Sequence, residues 1–389
     1  MAAKLPPPGP MIASTCFIAT ALLALASACD ETWLYPIRAL DASVPNDSSA
    51  NDSTPNDLTI DGRLDDIPVT DGSIPDSFPR DVPIIPVCPP AKQIGYSTVG
   101  GSPLPAATTG GEGGAVVRAS SAADLAMYAS QTAKLIIQIE GTISVVDQVR
   151  VKSDKTIEGV RPGDGLVGGG LNLTDIENIV VRRLTIGNAR ATDAVSINNS
   201  RRIWIDHCEF YSNLFDVKGT YDGLVDITHG SEWITLSWNI FRDHYNTSVV
   251  GHSNAAIAVT EDTGRLKVTY HHNWFSRTPN NNPRVRFGSV HVFNNLYEYD
   301  VAFPGTAIVS QQGAQVLVEA NTFKNVPRPI TTFYEDPIEG TAWAKDNVYI
   351  ASGDNDIRMT RQWTPPYDYL AESPTDAEAL VKACSGPAH

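Results

Sequence analysis

Leu266-Lys-Val-Thr-Tyr-His-His-Asn273-Trp-Phe275 and Val290-His-Val-Phe-Asn-Asn295-Leu-Tyr297 share one pattern: an alternating strand, an Asn, then an apolar residue. It recurs in Ile234-Thr-Leu-Ser-Trp-Asn239-Ile-Phe241 and Ala342-Trp-Ala-Lys-Asp-Asn347-Val-Tyr349, and with Thr322 after the Asn in Val316-Leu-Val-Glu-Ala-Asn321-Thr-Phe323. The five Asn are separated by 34, 22, 26 and 26 residues. A period in the low twenties, lengthened by loop insertions, marks a solenoid. No two-residue turns lie between these strands, so hairpins are not expected. Three short strands per turn would instead close a coil that pairs parallel with the next. The recurrent Asn suits such a coil, because it tolerates the left-handed region and its amide can bond the same amide one coil on. A β-propeller would need about forty residues per blade and antiparallel strands. Upstream, Ile203-Trp-Ile-Asp-His-Cys208-Glu-Phe210 and Ile179-Val-Val-Arg-Arg-Leu184 read as earlier coils. The expected fold is an all-β parallel solenoid. Ser120 to Ala129 predicts a short N-terminal helix with a Ser N-cap, placed to cover the open end of the coil.

The charge balance and the N-terminus bound where the chain works. The 389 residues carry a net charge of −15, and twelve acidic against three basic residues fall between Cys29 and Pro90. No basic groove emerges, which excludes nucleic acid as a partner. Residues 1–28 read as a signal peptide: Lys4, an apolar run from Met11, then Ala26-Ser27-Ala28. Cys29 follows directly, the position of a lipidated cysteine in a bacterial lipoprotein; ordinary secretion is the alternative. Residues 29–87 are rich in Asp, Ser, Asn and Pro and predict a lipidated N-terminus followed by a disordered acidic linker. Residues 88–389 form the folded domain. Either reading of Cys29 puts the mature protein outside the cytoplasm, secreted or lipid-anchored at the cell surface. Cys208 sits in a strand-like run and reads as a buried thiol. Cys88 and Cys384 remain, one at each end of the domain, where a disulfide would clamp it.

The motifs Trp204-Ile-Asp-His-Cys208, Asp222-Gly-Leu-Val-Asp226, His271-His-Asn273 and Pro283-Arg-Val-Arg-Phe-Gly288 follow one another with a spacing that resembles the pectate lyases of polysaccharide lyase family 1. Thr109-Gly-Gly-Glu-Gly-Gly114 and Thr156-Ile-Glu-Gly159 add weaker support. The resemblance spans about Gly95 to Asn321. It implies a right-handed parallel β-helix with a binding cleft on one face. It also implies Ca²⁺ as cofactor, with Asp193, Asp222 and Asp226 as metal ligands. Carboxylate oxygens suit that ion, and substrate carboxylates would complete its shell. The implied substrate is polygalacturonate or a related acidic polysaccharide, bound by a monomer.

The implied reaction is β-elimination, in which positive charge stabilises the anion formed when the C5 proton leaves. Arg284 and Arg286 are the expected catalytic residues, and Arg286 matches a family arginine that binds the substrate carboxylate. Two departures stand out. The position of the family's arginine base holds Asn281, and an amide is no useful proton acceptor. A substrate-binding lysine is also missing where this chain reads Asp243-His244-Tyr245-Asn246. Asn246 and Asn281 therefore count here as substrate-binding residues. Arg277 reads as a surface cation that serves as a base only if its loop is rearranged. His207, His244, His271, His272 and His291 read as structural, and Trp204, Trp233, Trp238 and Trp274 as packing groups. Three readings stay open: an active lyase, a catalytically impaired binder of uronate polymers, and a structural β-helix of the cell surface.

Overall fold

A computed structural model of the protein describes residues 87–99, 107–217 and 219–388. The expected signal peptide, Cys29 and the acidic stretch up to residue 86 lie outside the described residues.

One coil shows how the sequence folds. Lys267–His271 is a strand, His272-Asn273 turns the chain, and Trp274–Ser276 is a second strand. A loop follows, then a third strand at Arg284–Arg286, and the next coil begins at Ser289. Each strand pairs in parallel with its equivalents one coil before and one coil after: Val268 with Ile234 and Val290, Phe275 with Phe241 and Tyr297. Repetition builds three parallel sheets of ten, nine and eight strands. Parallel crossovers of this kind are right-handed. Inward-facing residues of all three sheets, among them Ile203, Phe241, Val268 and Val285, make one continuous core.

The Asn positions form the expected ladder. Asn239 Nδ2 donates to Asn273 Oδ1 at 2.9 Å, Asn273 to Asn295 at 2.9 Å, Asn295 to Asn321 at 3.0 Å and Asn321 to Asn347 at 3.0 Å. The left-handed backbone, however, belongs to the preceding residue: Trp238, His272, Asn294, Ala320 and Asp346 have φ between 53° and 55°. That bend turns the chain from one sheet to the next and leaves the Asn side chain pointing inward. A non-Gly residue there costs roughly 1–2 kcal/mol. Stacking of His207 on Trp238 and of Trp238 on His272 offsets part of it. Two residues after each Asn, Phe241, Phe275, Tyr297, Phe323 and Tyr349 stack ring on ring. Asn273→Ala strands buried backbone and amide groups of both neighbouring coils. It is expected to lower unfolding free energy by about 3 kcal/mol or more, measured by chemical denaturation.

The N-terminal end is closed. The helix Ala122–Ala129 is capped by Ser121, whose hydroxyl accepts from the Asp124 N–H at 3.1 Å, and buries Leu125 and Ala129 against the first coil. A C-terminal helix, Pro374–Cys384, which sequence reading did not foresee, ends at the disulfide between Cys384 and Cys88. The bond links residues 296 apart. Opening it with Cys384→Ser should destabilise the domain by about 2–5 kcal/mol, seen as a lower urea midpoint. Cys208 is buried and free, and burial pushes its thiol up to about 12.

Candidate active site

The outer face of the eight-stranded sheet carries the chemistry. Along Val225–Thr228 and Arg284–Arg286 the side chains alternate. Ile227 and Val285 enter the core, so Asp226, Arg284 and Arg286 point outward. Register aligns Arg284 with Val249, and places Asp226 beside Ser196. With Val249 N bonded to Asp226 Oδ1 at 2.9 Å, Arg284 lies two strands from Asp226. That is about 10 Å at ordinary strand spacing, room for substrate between them.

Asp193 precedes its strand and is fixed from three sides. Its Oδ1 accepts from Gly223 N at 2.9 Å, its Oδ2 from Ser196 Oγ at 2.5 Å, and Gln148 Nε2 binds its backbone carbonyl at 2.9 Å. Gly223 leaves room for the Asp226 carboxylate, which a Cβ there would meet at 2.6 Å and displace. Asp222 is exposed. Its carbonyl accepts from His244 Nε2 at 2.8 Å, and burial holds that imidazole neutral, down to about 4. Burial and then the charge of Asp222 raise Asp193 above the usual carboxylate range. Burial, Asp193 and Asp222 hold Asp226 well above it. Among the described residues no three carboxylate, imidazole or thiol groups converge tightly enough to hold a metal alone. The three Asp are nonetheless brought to one region where negative charges repel. A hard divalent cation fits that donor set, with substrate and water oxygens filling its shell.

Arg284 and Arg286 are both half-buried and held by hydrogen bonds. Arg284 Nε donates to Gln311 Oε1 at 3.0 Å, and its guanidinium carbon sits 5.2 Å from the Tyr334 ring centroid. Arg286 donates to Asn254 Oδ1 at 3.0 Å and to the Gly251 carbonyl at 2.8 Å. Burial, reinforced by the charge of Arg284, pulls Arg286 down to about 10. Arg277 is different. Its guanidinium grips the Asp243 carboxylate at 2.6 and 2.8 Å, and this bonding raises its pKa. An arginine so paired is no base.

The two departures are neighbours. Asn281 Nδ2 lies 3.4 Å from Asn246 Oδ1, on adjoining loops joined by an Asn246–Asn280 bridge. Asn281 is mostly buried, whereas Asn246 is exposed. Histidines 207, 244, 271, 272 and 291 are all buried. His207 bonds Asp206 at 2.7 Å and His291 bonds Glu319 at 2.8 Å, away from the cleft. Trp204, Trp233 and Trp238 are buried too. Sequence reading missed Gln148, Asn254 and Gln311, whose partners lie on other coils, and Ser196, which bonds Asp193 three residues before it.

The pectate lyase family profile matches residues 88–380. The chain belongs to the pectate lyase family of polysaccharide lyases. It is similar to a probable pectate lyase B of Aspergillus flavus, 35% identical over 68% of this chain and 78% of that one. Pectate lyase B of Colletotrichum gloeosporioides is 35% identical over 72% of this chain and 83% of that one. A crystal structure of a pectate lyase from Bacillus sp. N165, in complex with trigalacturonate, superposes with a TM-score of 0.68. The two are 32% identical, across 76% of this chain and 98% of that one. Family membership agrees with the solenoid, and the disulfide suits an oxidising, extracytoplasmic setting.

Proposed function

We propose that the chain cleaves polygalacturonate, or a related acidic polysaccharide, by calcium-dependent β-elimination. The observation that carries this reading is the juxtaposition, on one open sheet face, of repelling carboxylates and two held arginines. Asp193, Asp222 and Asp226 would hold Ca²⁺, which when bound supplies positive charge toward the uronate carboxylate. Arg284, fixed by Gln311, binds that carboxylate and favours the anion that forms as the C5 proton leaves. The C4–O bond then breaks, the leaving oxygen takes a proton from water, and an unsaturated uronide results.

Asn281 takes no part as base. With Asn246 it offers amide groups to sugar hydroxyls along the loop edge of the cleft. Arg277 is ruled out by its ion pair with Asp243. We assign proton abstraction to Arg286. Burial holds its guanidinium below the ordinary arginine range. Its neutral fraction grows tenfold per pH unit up to about 10, so the rate should climb toward alkaline pH.

The decisive assay follows absorbance of the unsaturated uronide when the protein meets polygalacturonate at alkaline pH, with Ca²⁺ and with chelator. Growth that needs Ca²⁺ supports the proposal. No growth from a folded preparation that still binds the polymer would leave the second reading, a uronate binder, which the amide pair at 246 and 281 favours. The export reading adds that Cys29 carries lipid. Cys29→Ser should then release the protein from the membrane fraction, and unchanged fractionation would refute the anchor.

A further inference from the structure

Asp336 lies on the loop between the strands Arg328–Thr331 and Thr341–Lys345, two strands along the sheet from Arg286. It is 3% exposed, and among the described residues no salt bridge accompanies its burial. Instead it collects amides. Its Oδ2 accepts from Asn254 Nδ2 at 2.7 Å and from Gln311 Nε2 at 2.8 Å. Its Oδ1 accepts from Gln312 Nε2 at 2.7 Å and from the Ile338 N–H at 3.0 Å. These bonds hold its carboxyl below the usual range despite burial.

Two of those amides are the ones that hold the arginines. Asn254 Oδ1 receives Arg286 Nε at 3.0 Å, and Gln311 Oε1 receives Arg284 Nε at 3.0 Å. A side-chain amide is ambivalent: it can present either its oxygen or its NH₂. A carboxylate can only accept. Asp336 therefore compels both amides to turn NH₂ toward it, which aims both carbonyl oxygens at the guanidinium groups. The same loop lays Tyr334 under Arg284.

We propose that Asp336 is the positioning residue of this site: through Asn254 and Gln311, one buried carboxylate sets the orientation of both Arg284, which binds the substrate carboxylate, and Arg286, which takes the proton. The role of those arginines rests on the lyase reading above; their orientation by Asp336 does not. Asp336→Asn keeps the shape but can present its own NH₂, so one or both amides flip and turn an NH₂ on an arginine.

The test reads the arginines directly. In arginine-labelled protein, the Nε–H resonances of Arg284 and Arg286 are assigned with Arg284→Lys and Arg286→Lys variants. Asp336→Asn is expected to shift both resonances and speed their exchange with solvent. It should also weaken trigalacturonate binding about tenfold, the scale of one charge-assisted hydrogen bond. Raised KM at unchanged Tm is the matching kinetic sign, since a merely structural role would lower Tm and leave KM alone. If Asp336→Asn does not fold, Asn254→Ala, at an exposed residue, should disturb the Arg286 resonance and spare that of Arg284. Unmoved resonances in Asp336→Asn, or in Asn254→Ala, overturn the proposal. An inactive wild-type protein would sink the lyase reading alone, because the resonances report without turnover.

Discussion

Arg286→Ala is expected to lower kcat/KM on polygalacturonate by about 10²–10³-fold, the usual consequence of removing one preorganised group that stabilises developing charge. The loss should fall mainly on kcat, because the group is asked to act on the reacting proton. Its neighbourhood makes the variant interpretable. Arg286 points out of the sheet and its partners are the Asn254 amide and the Gly251 carbonyl, at the cleft edge where water can replace the guanidinium. Stability should therefore change little. Arg286→Lys sharpens the result: a lysine, ordinarily near 10.4, should keep a rising alkaline limb while losing much of the rate. Wild-type kcat with only a raised KM in Arg286→Ala would confine Arg286 to binding the carboxylate and point to hydroxide as the base.

The fold was legible because a solenoid writes its period into the chain. Five successive coils return an Asn to the same corner and an aromatic ring to the same stack, so Asn273 and Phe275 announce Asn295 and Tyr297. Which residue bends was not legible. The Asn composition pointed to the Asn itself, but inward amide pairing commits that residue, and the bend moves one place earlier, to His272 and its equivalents. The motifs that carried the family resemblance divide in two. Trp204-Ile-Asp-His-Cys208 is structural: Trp204 donates to Ser237 at 2.9 Å within the ten-stranded sheet, far from the cleft in function. Asp222-Gly-Leu-Val-Asp226 and the stretch from Pro283 to Gly288 do reach the site. The rest was hidden because loops of unequal length bring it there. Asp336 meets Asn254 across 82 residues and Gln311 across 25, and no spacing rule links such partners. Arg277 likewise could be dismissed as a base only once Asp243 was seen in its grip.

Asp226→Asn should reverse sign with calcium. The folded protein holds the Asp226 carboxyl well above its ordinary range, through burial and the charges of Asp193 and Asp222. A carboxyl raised on folding contributes its full stability at low pH. That contribution is lost as pH climbs through the folded pKa, and the charged form is then a burden at neutral pH. Asparagine removes the charge and keeps an oxygen to accept from the Val249 N–H, now bonded at 2.9 Å. In chelator, the variant should therefore melt above the wild type. With Ca²⁺ the order should invert. The wild type gains stability by mass action, about 2.7 kcal/mol at a hundred times Kd. The variant should gain far less, because the proposed reading makes Asp226 a direct ligand, whose loss exceeds the roughly 10–100-fold affinity loss that follows from disturbing outer-shell partners. Lyase activity should track the same titration. Thermal melts of both proteins across a calcium series decide the matter. A wild type whose melting temperature ignores Ca²⁺, together with a variant less stable than it in chelator, would mean that these carboxylates are ordinary surface turns and that the charge at the cleft comes from the arginines alone.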